Sequence, residues 1–270
     1  MERRINVMGF LVSGRASCAR TLLTVAAGLL LGQFCAQGQG GRGRGGPPAS
    51  AKVGAPFDLS GYWVSVITQN WRFRMVTPPK GDYLGIPLTP AAQQVADAWD
   101  PAKDEAAGNQ CKYYGAAAIM PMPERLHITW QDDDTLHMDI DAGTQTRLFH
   151  FAQWKAPGGN ATWQGDSVAS WQSRQGRGVR PSTPEARFLK VTTTHMRPGY
   201  LRKNGVPYSD KAVVAEYYDL QREQGGDQMM IVTTVVEDPV YLDQPLILTA
   251  QFKKQADATG WDPTPCSARW

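Results

Sequence analysis

The chain has 270 residues, 42% of them hydrophobic and 20% charged, with a formal net charge of +3. That length holds one well-filled domain with room for a leader, and the weak, unclustered basicity excludes a nucleic-acid footprint. The positive excess belongs to the N-terminal end: beyond residue 55 there are 21 basic and 24 acidic residues.

Arg3, Arg4, Arg15 and Arg20 precede an apolar run from Thr21 to Gly32, and small and polar residues follow it. This pattern reads as an export signal over residues 1–38, with Ala36-Gln37-Gly38 as the cleavage tripeptide. The run is shorter than the roughly 20 apolar residues a membrane-crossing helix needs, so no transmembrane segment is expected after its removal. Residues 39–55 are Gly/Pro-rich, with Arg42, Arg44 and Lys52, and read as a flexible linker. Residues 56–270 read as one domain in a periplasmic or extracellular compartment. Cys18 and Cys35 leave with the signal. Cys111 and Cys266 then either pair as a disulfide, as two cysteines of an exported chain usually do, or stand as separate buried thiols.

Within the domain, Leu59-Ser60-Gly61 bends the chain into a first strand ending near Ile67. A short helical insertion follows. Thr89 is an N-cap before Pro90, Ala91 to Trp99 favour helix, Asp100-Pro101 interrupts it, and Ala102 to Ala107 form a second short helix before Gly108. From Arg125 onward strands dominate: Arg125–Gln131, Thr135–Asp141, Gln145–Ala152, Ala161–Gln164, Val168–Gln172, Phe188–Met196, Ala212–Leu220, Gln228–Val236 and Leu246–Lys254. Turn chemistry separates most of them. The fold class is mostly β, an antiparallel barrel with the helical insertion near its N-terminal side.

The Asp132-Asp133-Asp134 turn permits a register argument. Leu126, Ile128 and Trp130 alternate with polar neighbours, as do Leu136, Met138 and Ile140. Only an odd loop sets apolar opposite apolar, pairing Trp130 with Leu136, Ile128 with Met138 and Leu126 with Ile140. The other face then pairs Thr129 with His137, His127 with Asp139 and Arg125 with Asp141. A carboxylate opposite His127 would orient the imidazole and raise its basicity, as acid–base catalysis requires. The same face equally suits the solvent side of an amphipathic hairpin, and alternation alone does not say which face is inside.

The remaining candidates are Tyr200 and Arg197, as oxyanion stabilisers, and Trp63, Trp130, His137, His195 and Tyr217, as contacts to a ligand. Glu216-Tyr217-Tyr218-Asp219 puts one carboxylate and one phenol on each face of its strand. The four histidines show no HExxH or comparable spacing, so no metal is expected. Gly165-Asp166-Ser167-Val168-Ala169 lacks the second glycine of a nucleophile elbow, and no cofactor motif is present.

Asp58-Leu59-Ser60-Gly61-Tyr62-Trp63, Pro87-Leu88-Thr89-Pro90, Cys111 with Gly115, Trp163-Gln164-Gly165-Asp166-Ser167, Gly205-Val206-Pro207-Tyr208-Ser209 and Glu237-Asp238-Pro239 occur in that order. This ordered set resembles an uncharacterised family of secreted bacterial proteins with lipocalin-like β-barrels. The resemblance implies export and a lipocalin-like barrel, and carries no activity with it. Many members of that family have Pro-His-Ser where this chain has Pro207-Tyr208-Ser209.

Two functions follow as expectations. One is an exported barrel that binds an apolar or aromatic small molecule in its interior. The alternative is a cofactor-free lyase, isomerase or hydrolase, with His127 as base aided by Asp139 and with Tyr200 or Arg197 at the oxyanion.

Overall fold

An Asx turn starts the sheet: Asp58 Oδ1 accepts from the Ser60 N–H at 2.8 Å, and Gly61 follows at φ +106°, a conformation that favours glycine. The chain then enters strand β1 (Gly61–Val66). The structure is a computed structural model that describes residues 49–152, 154–174 and 187–269. The expected export signal and the linker up to residue 48 lie outside the described residues. Ala51 and Lys52, expected in the linker, are instead tied to the barrel. The Ala51 N–H donates to Asp134 at 2.7 Å, the Lys52 N–H donates to the Asp133 carbonyl, and Trp171 Nε1 donates to the Ala51 carbonyl.

After β1 come helices α1 (Trp71–Met75), α2 (Pro90–Asp97) and α3 (Pro101–Ala106) and the 3-10 turn Gln110–Tyr114. Strands β2 (Arg125–Trp130), β3 (Thr135–Ile140), β4 (Gln145–His150), β5 (Asp166–Ser173) and β6 (Arg187–Thr194) follow. The rest is the small hairpin β7 (Gly199–Arg202) and β8 (Val206–Tyr208), then β9 (Val213–Arg222), β10 (Gln228–Glu237) and β11 (Leu246–Gln255). Thr89 caps α2 through Oγ1 at 3.2 Å from the Ala92 N–H, and Asp100 caps α3 in the same manner, each followed by proline. The α2 start is the one the sequence calls for, and Asp100-Pro101, read as an interruption, is itself the start of α3. The five-residue helix α1 was not anticipated.

Nine strands close into a barrel in the order β1-β11-β10-β9-β6-β5-β4-β3-β2. The closure joins the first and last strands of the chain. A closed ring of an odd number of strands cannot alternate direction throughout, so at least one neighbouring pair must run parallel. Here it is β4 and β5. The other barrel neighbours are antiparallel, as expected, and the one parallel pair has a specific cause. Ten strands were expected, but Ala161–Gln164 does not form one. Its backbone is engaged elsewhere: the Trp163 carbonyl accepts from Ala116, the Thr162 carbonyl accepts from Arg197, and Thr162 makes only an isolated bridge to Met196. Residues 151–165 thereby become a crossover, of the dozen or more residues that parallel neighbours need.

The β2–β3 register is the expected one, with Leu126 opposite Ile140, Ile128 opposite Met138 and Trp130 opposite Leu136. The apolar face is inside. Trp63, Leu126, Ile128, Phe149, Leu189, Tyr218 and Phe252 are essentially inaccessible and fill the lumen. A second apolar cluster caps the barrel, built on α2, the β7–β8 hairpin and residues Leu88, Leu242 and Leu246. Gly205 permits the cap to close. It sits at φ +84°, and a Cβ there would stand 2.2 Å from the Trp99 ring. The Cys111–Cys266 disulfide, with a Cα–Cα distance of 5.1 Å, ties the C-terminal tail to the cap. A loop closed over 155 residues of separation contributes about 5 kcal/mol in the chain-entropy model.

Candidate functional site

Alternation along the strands decides which chemistry can reach the lumen. His127 does stand opposite Asp139, but both lie on the outer face. The His127 imidazole stacks flat on Tyr62, with ring centres 4.1 Å apart and planes 7° from parallel, and Trp261 lies edge-on at 6.3 Å. Asp139 is engaged elsewhere, 2.8 Å from His137 Nε2 and accepting from Thr146 Oγ1 at 2.7 Å. The Tyr200 hydroxyl belongs to the cap and donates to Asp104 Oδ2 at 2.7 Å; burial and that carboxylate push its pKa up. Arg197 is exposed and stacks over Trp163 at 3.9 Å. The structure therefore does not bring His127, Tyr200 and Arg197 together.

The proposed ligand contacts are also dispersed. His195 is exposed, at φ +56° and 2.9 Å from Asp166. Tyr217 faces outward beside Phe188, at 5.8 Å between ring centres. Trp130 packs on Phe151 at the barrel rim. Trp63 is interior, its Nε1 donating to the Leu59 carbonyl at 2.8 Å, and serves as core.

The inward members of the Glu216–Asp219 stretch are Glu216 and Tyr218. Glu216 meets Arg147, which projects inward from β4 opposite Met138. The pair is bidentate, at 2.9 Å and 2.6 Å, and both side chains are wholly buried. Thr193 and Ser167 extend this polar seam, their hydroxyls 2.7 Å apart. Burial alone would lower the Arg147 pKa, but Glu216 holds it above its ordinary value. The Tyr218 phenol faces Glu216 without closing a well-formed hydrogen bond, and burial raises its pKa. Nearby, Glu124 is buried with neither carboxylate oxygen hydrogen-bonded. Burial, reinforced by Asp141, pushes its pKa well above 4.5. This seam has the polarity of an active site and is surrounded, among the described residues, by the buried aromatic side chains of the lumen.

Space opens instead at the end of the barrel where β11 begins. A cavity of about 150 Å³ lies beneath α1, between Phe73 and Arg74, the loop at Ile86, Arg202 and the β11 residues Leu246 and Leu248. A dry cavity near that volume takes a benzene-sized guest. No pattern in the sequence singles out Arg74, which lies in the unanticipated helix α1. Arg147 was legible: extending the apolar-opposite-apolar rule from Met138 to β4 places it inside.

The recurring residues of the family-like motif set serve architecture. Asp238 accepts from the Ser209 N–H at 2.6 Å, the Ser209 hydroxyl at 2.7 Å and the Val240 N–H at 2.9 Å. Gly115 leaves room for the Tyr208 ring, whose hydroxyl would stand 2.3 Å from a Cβ there. Gln164 donates to the Tyr114 carbonyl at 2.7 Å. Among the described residues, no three His, Cys, Asp or Glu side chains gather as a metal would require, and no helix is long and apolar enough to cross a membrane. No family model, no curated protein and no solved structure matches the chain.

Two predictions follow from the seam. Arg147→Met alone strands a buried carboxylate and should cost about 3–5 kcal/mol of unfolding free energy, whereas Arg147→Met combined with Glu216→Leu should recover most of that loss. Urea unfolding of the two variants measures the difference. Glu124 titrates with the opposite sign to a paired carboxylate. The folded protein holds its proton more tightly than the unfolded chain, so that contribution is complete below the unfolded pKa near 4.5 and is lost as pH rises toward the folded value. Relative to wild type, Glu124→Gln should flatten the decline of stability above pH 4.5; parallel pH profiles for the two proteins would contradict this.

Proposed function

We propose that this protein is an exported β-barrel that binds a small apolar or aromatic molecule without turning it over, in the cavity at the barrel end and not in the lumen. One observation carries the reading: the cavity beneath α1, of about 150 Å³, brings Phe73 of α1, Ile86 of the loop after it and Leu246 and Leu248 of β11 around ring-sized room. Ligand sites are typically concave and mostly apolar with a few placed polar groups, and Phe73, Ile86, Leu246 and Leu248 beside Arg74 and Arg202 fit that description. The acid–base alternative draws less support, because its base, His127, stacks on Tyr62 at the outer face and stands apart from Tyr200 and Arg197.

Export is supported by the leader-like N-terminus and by the Cys111–Cys266 disulfide, a bond that persists in oxidising compartments. The motif resemblance agrees with export, and in this reading the shared residues preserve a common cap and turns.

Toluene titrated into the purified domain should bind, and at a free concentration ten times its Kd should stabilise folding by about 1.4 kcal/mol. Ile86→Trp, which fills the cavity, should abolish that stabilisation. No binding to the wild type, or binding unchanged by Ile86→Trp, would place the ligand elsewhere.

A further inference from the structure

Among the described residues, six large hydrophobic side chains are more than half exposed: Val53, Trp71, Met75, Val76, Leu84 and Ile247. Five of the six gather at the barrel-end cavity. Leu84 and Ile247 are part of its lining, Trp71 follows the lining residue Asn70, and Met75 and Val76 follow Arg74. The cavity therefore opens at a rim that is itself apolar. Exposed apolar side chains are ordinary when scattered, but gathered they mark a contact surface. Part of the gathering is local: Trp71 and Met75 stand four residues apart on α1 and share its outward side, while Arg74 turns in and donates to the Pro121 carbonyl.

The charge around this rim has one sign. From residue 67 to residue 96 the chain carries Arg72, Arg74 and Lys80 against Asp82 alone, and the cavity lining has Arg74 and Arg202 with no acidic residue. Arg72 and Lys80 are exposed, whereas Asp82 is mostly covered and lies 2.6 Å from Arg72. Asp97, which accepts from Tyr83 at 2.6 Å, and the exposed Asp243 stand outside that lining. Tryptophan and aliphatic side chains set among cations are the composition of a segment that lies at a bilayer surface. There the apolar groups enter the acyl boundary and Lys and Arg meet anionic headgroups. A second copy of the chain fits this face less well, because a two-fold contact would set the cationic rim of one protomer against that of its partner.

We infer that this face is a docking surface for an anionic lipid bilayer, with Trp71, Leu84 and Ile247 entering the interface and Arg72 and Lys80 on the headgroups. The cavity opens within the docked face, so an apolar guest passes between bilayer and protein without crossing water. That passage rests on the guest-binding reading; the docking itself does not.

Co-sedimentation of the full mature chain with vesicles of phosphatidylglycerol and phosphatidylcholine in equal parts tests the docking. The wild type should bind, and Trp71→Ser combined with Leu84→Ser should weaken binding by roughly tenfold or more, as the loss of two inserted apolar side chains implies. Both side chains are exposed, so the variant should keep the wild-type urea midpoint. Vesicles of phosphatidylcholine alone should hold the wild type roughly fivefold less tightly. Equal binding to the two kinds of vesicle overturns the anionic assignment, and no binding to the mixed vesicles overturns the docking surface. Binding that the double variant leaves unchanged also overturns it, and would pass to Arg42 and Arg44 of the linker. Sedimentation equilibrium without lipid supplies the last arm: a dimer that the same variant dissociates overturns the inference in favour of self-association. Toluene binding is read separately, so failure of the guest reading leaves each of these outcomes as it stands.

Discussion

The inward faces of nine strands share one lumen, and in this protein they fill it. Trp63, Phe149, Tyr218 and Phe252 are fully buried, and between them the Arg147–Glu216 pair crosses from β4 to β9. Such a pair contributes little net stability, since desolvation offsets its attraction, yet either partner alone is strongly unfavourable. Its geometry therefore constrains the register of β4 against β9 through the interior. At the barrel end, α1, the Ile86 loop, β7 and the start of β11 line a cavity of about 150 Å³, where the proposed guest would sit.

The cap follows from the same arrangement. Because β6 pairs with β9, the intervening chain has to leave the barrel, and it folds out as the β7–β8 hairpin packed on α2. Asp238 fastens the hairpin's exit by accepting from Ser209 and the Val240 N–H, and the disulfide fastens the C-terminal tail to the 3-10 turn Gln110–Tyr114. Arg202, at the end of β7, is carried by this hairpin to the cavity wall. The β7–β8 excursion thus contributes to both cap and cavity.

How much of this was legible depends on the length scale of the signal. Period-two alternation fixed the β2–β3 register to the residue, and it put Glu216 and Tyr218 on a common face before that face was known to be the interior. Thr89-Pro90 marked its helix correctly, because N-caps and first-turn prolines act within a few residues; Asp100-Pro101, read as an interruption, is itself the start of α3. Ala161–Gln164 misled: its strand propensity was overridden by tertiary hydrogen bonds to Ala116 and Arg197, and the loss of one strand from an even set required a parallel neighbour. His127 opposite Asp139 was correct as pairing, and the face it lies on is the outer one. Alternation locates a face, whereas the aromatic stack of Tyr62 and Trp261, the latter far along the chain, decides where the imidazole rests. Arg74 had no sequence signal, since a single arginine in a five-residue helix acquires meaning only from the Pro121 carbonyl and the β11 residues packed around it.

The central claim is that guest molecules occupy the barrel end and not the lumen or the outer hairpin face. Crystals of the mature protein soaked with 4-bromotoluene, with the bromine located by its anomalous scattering, test it most directly. The account predicts a single bromine site among Phe73, Ile86 and Leu246. A bromine inside the barrel beside Arg147 and Glu216, or one on the outer face beside His127, would contradict it.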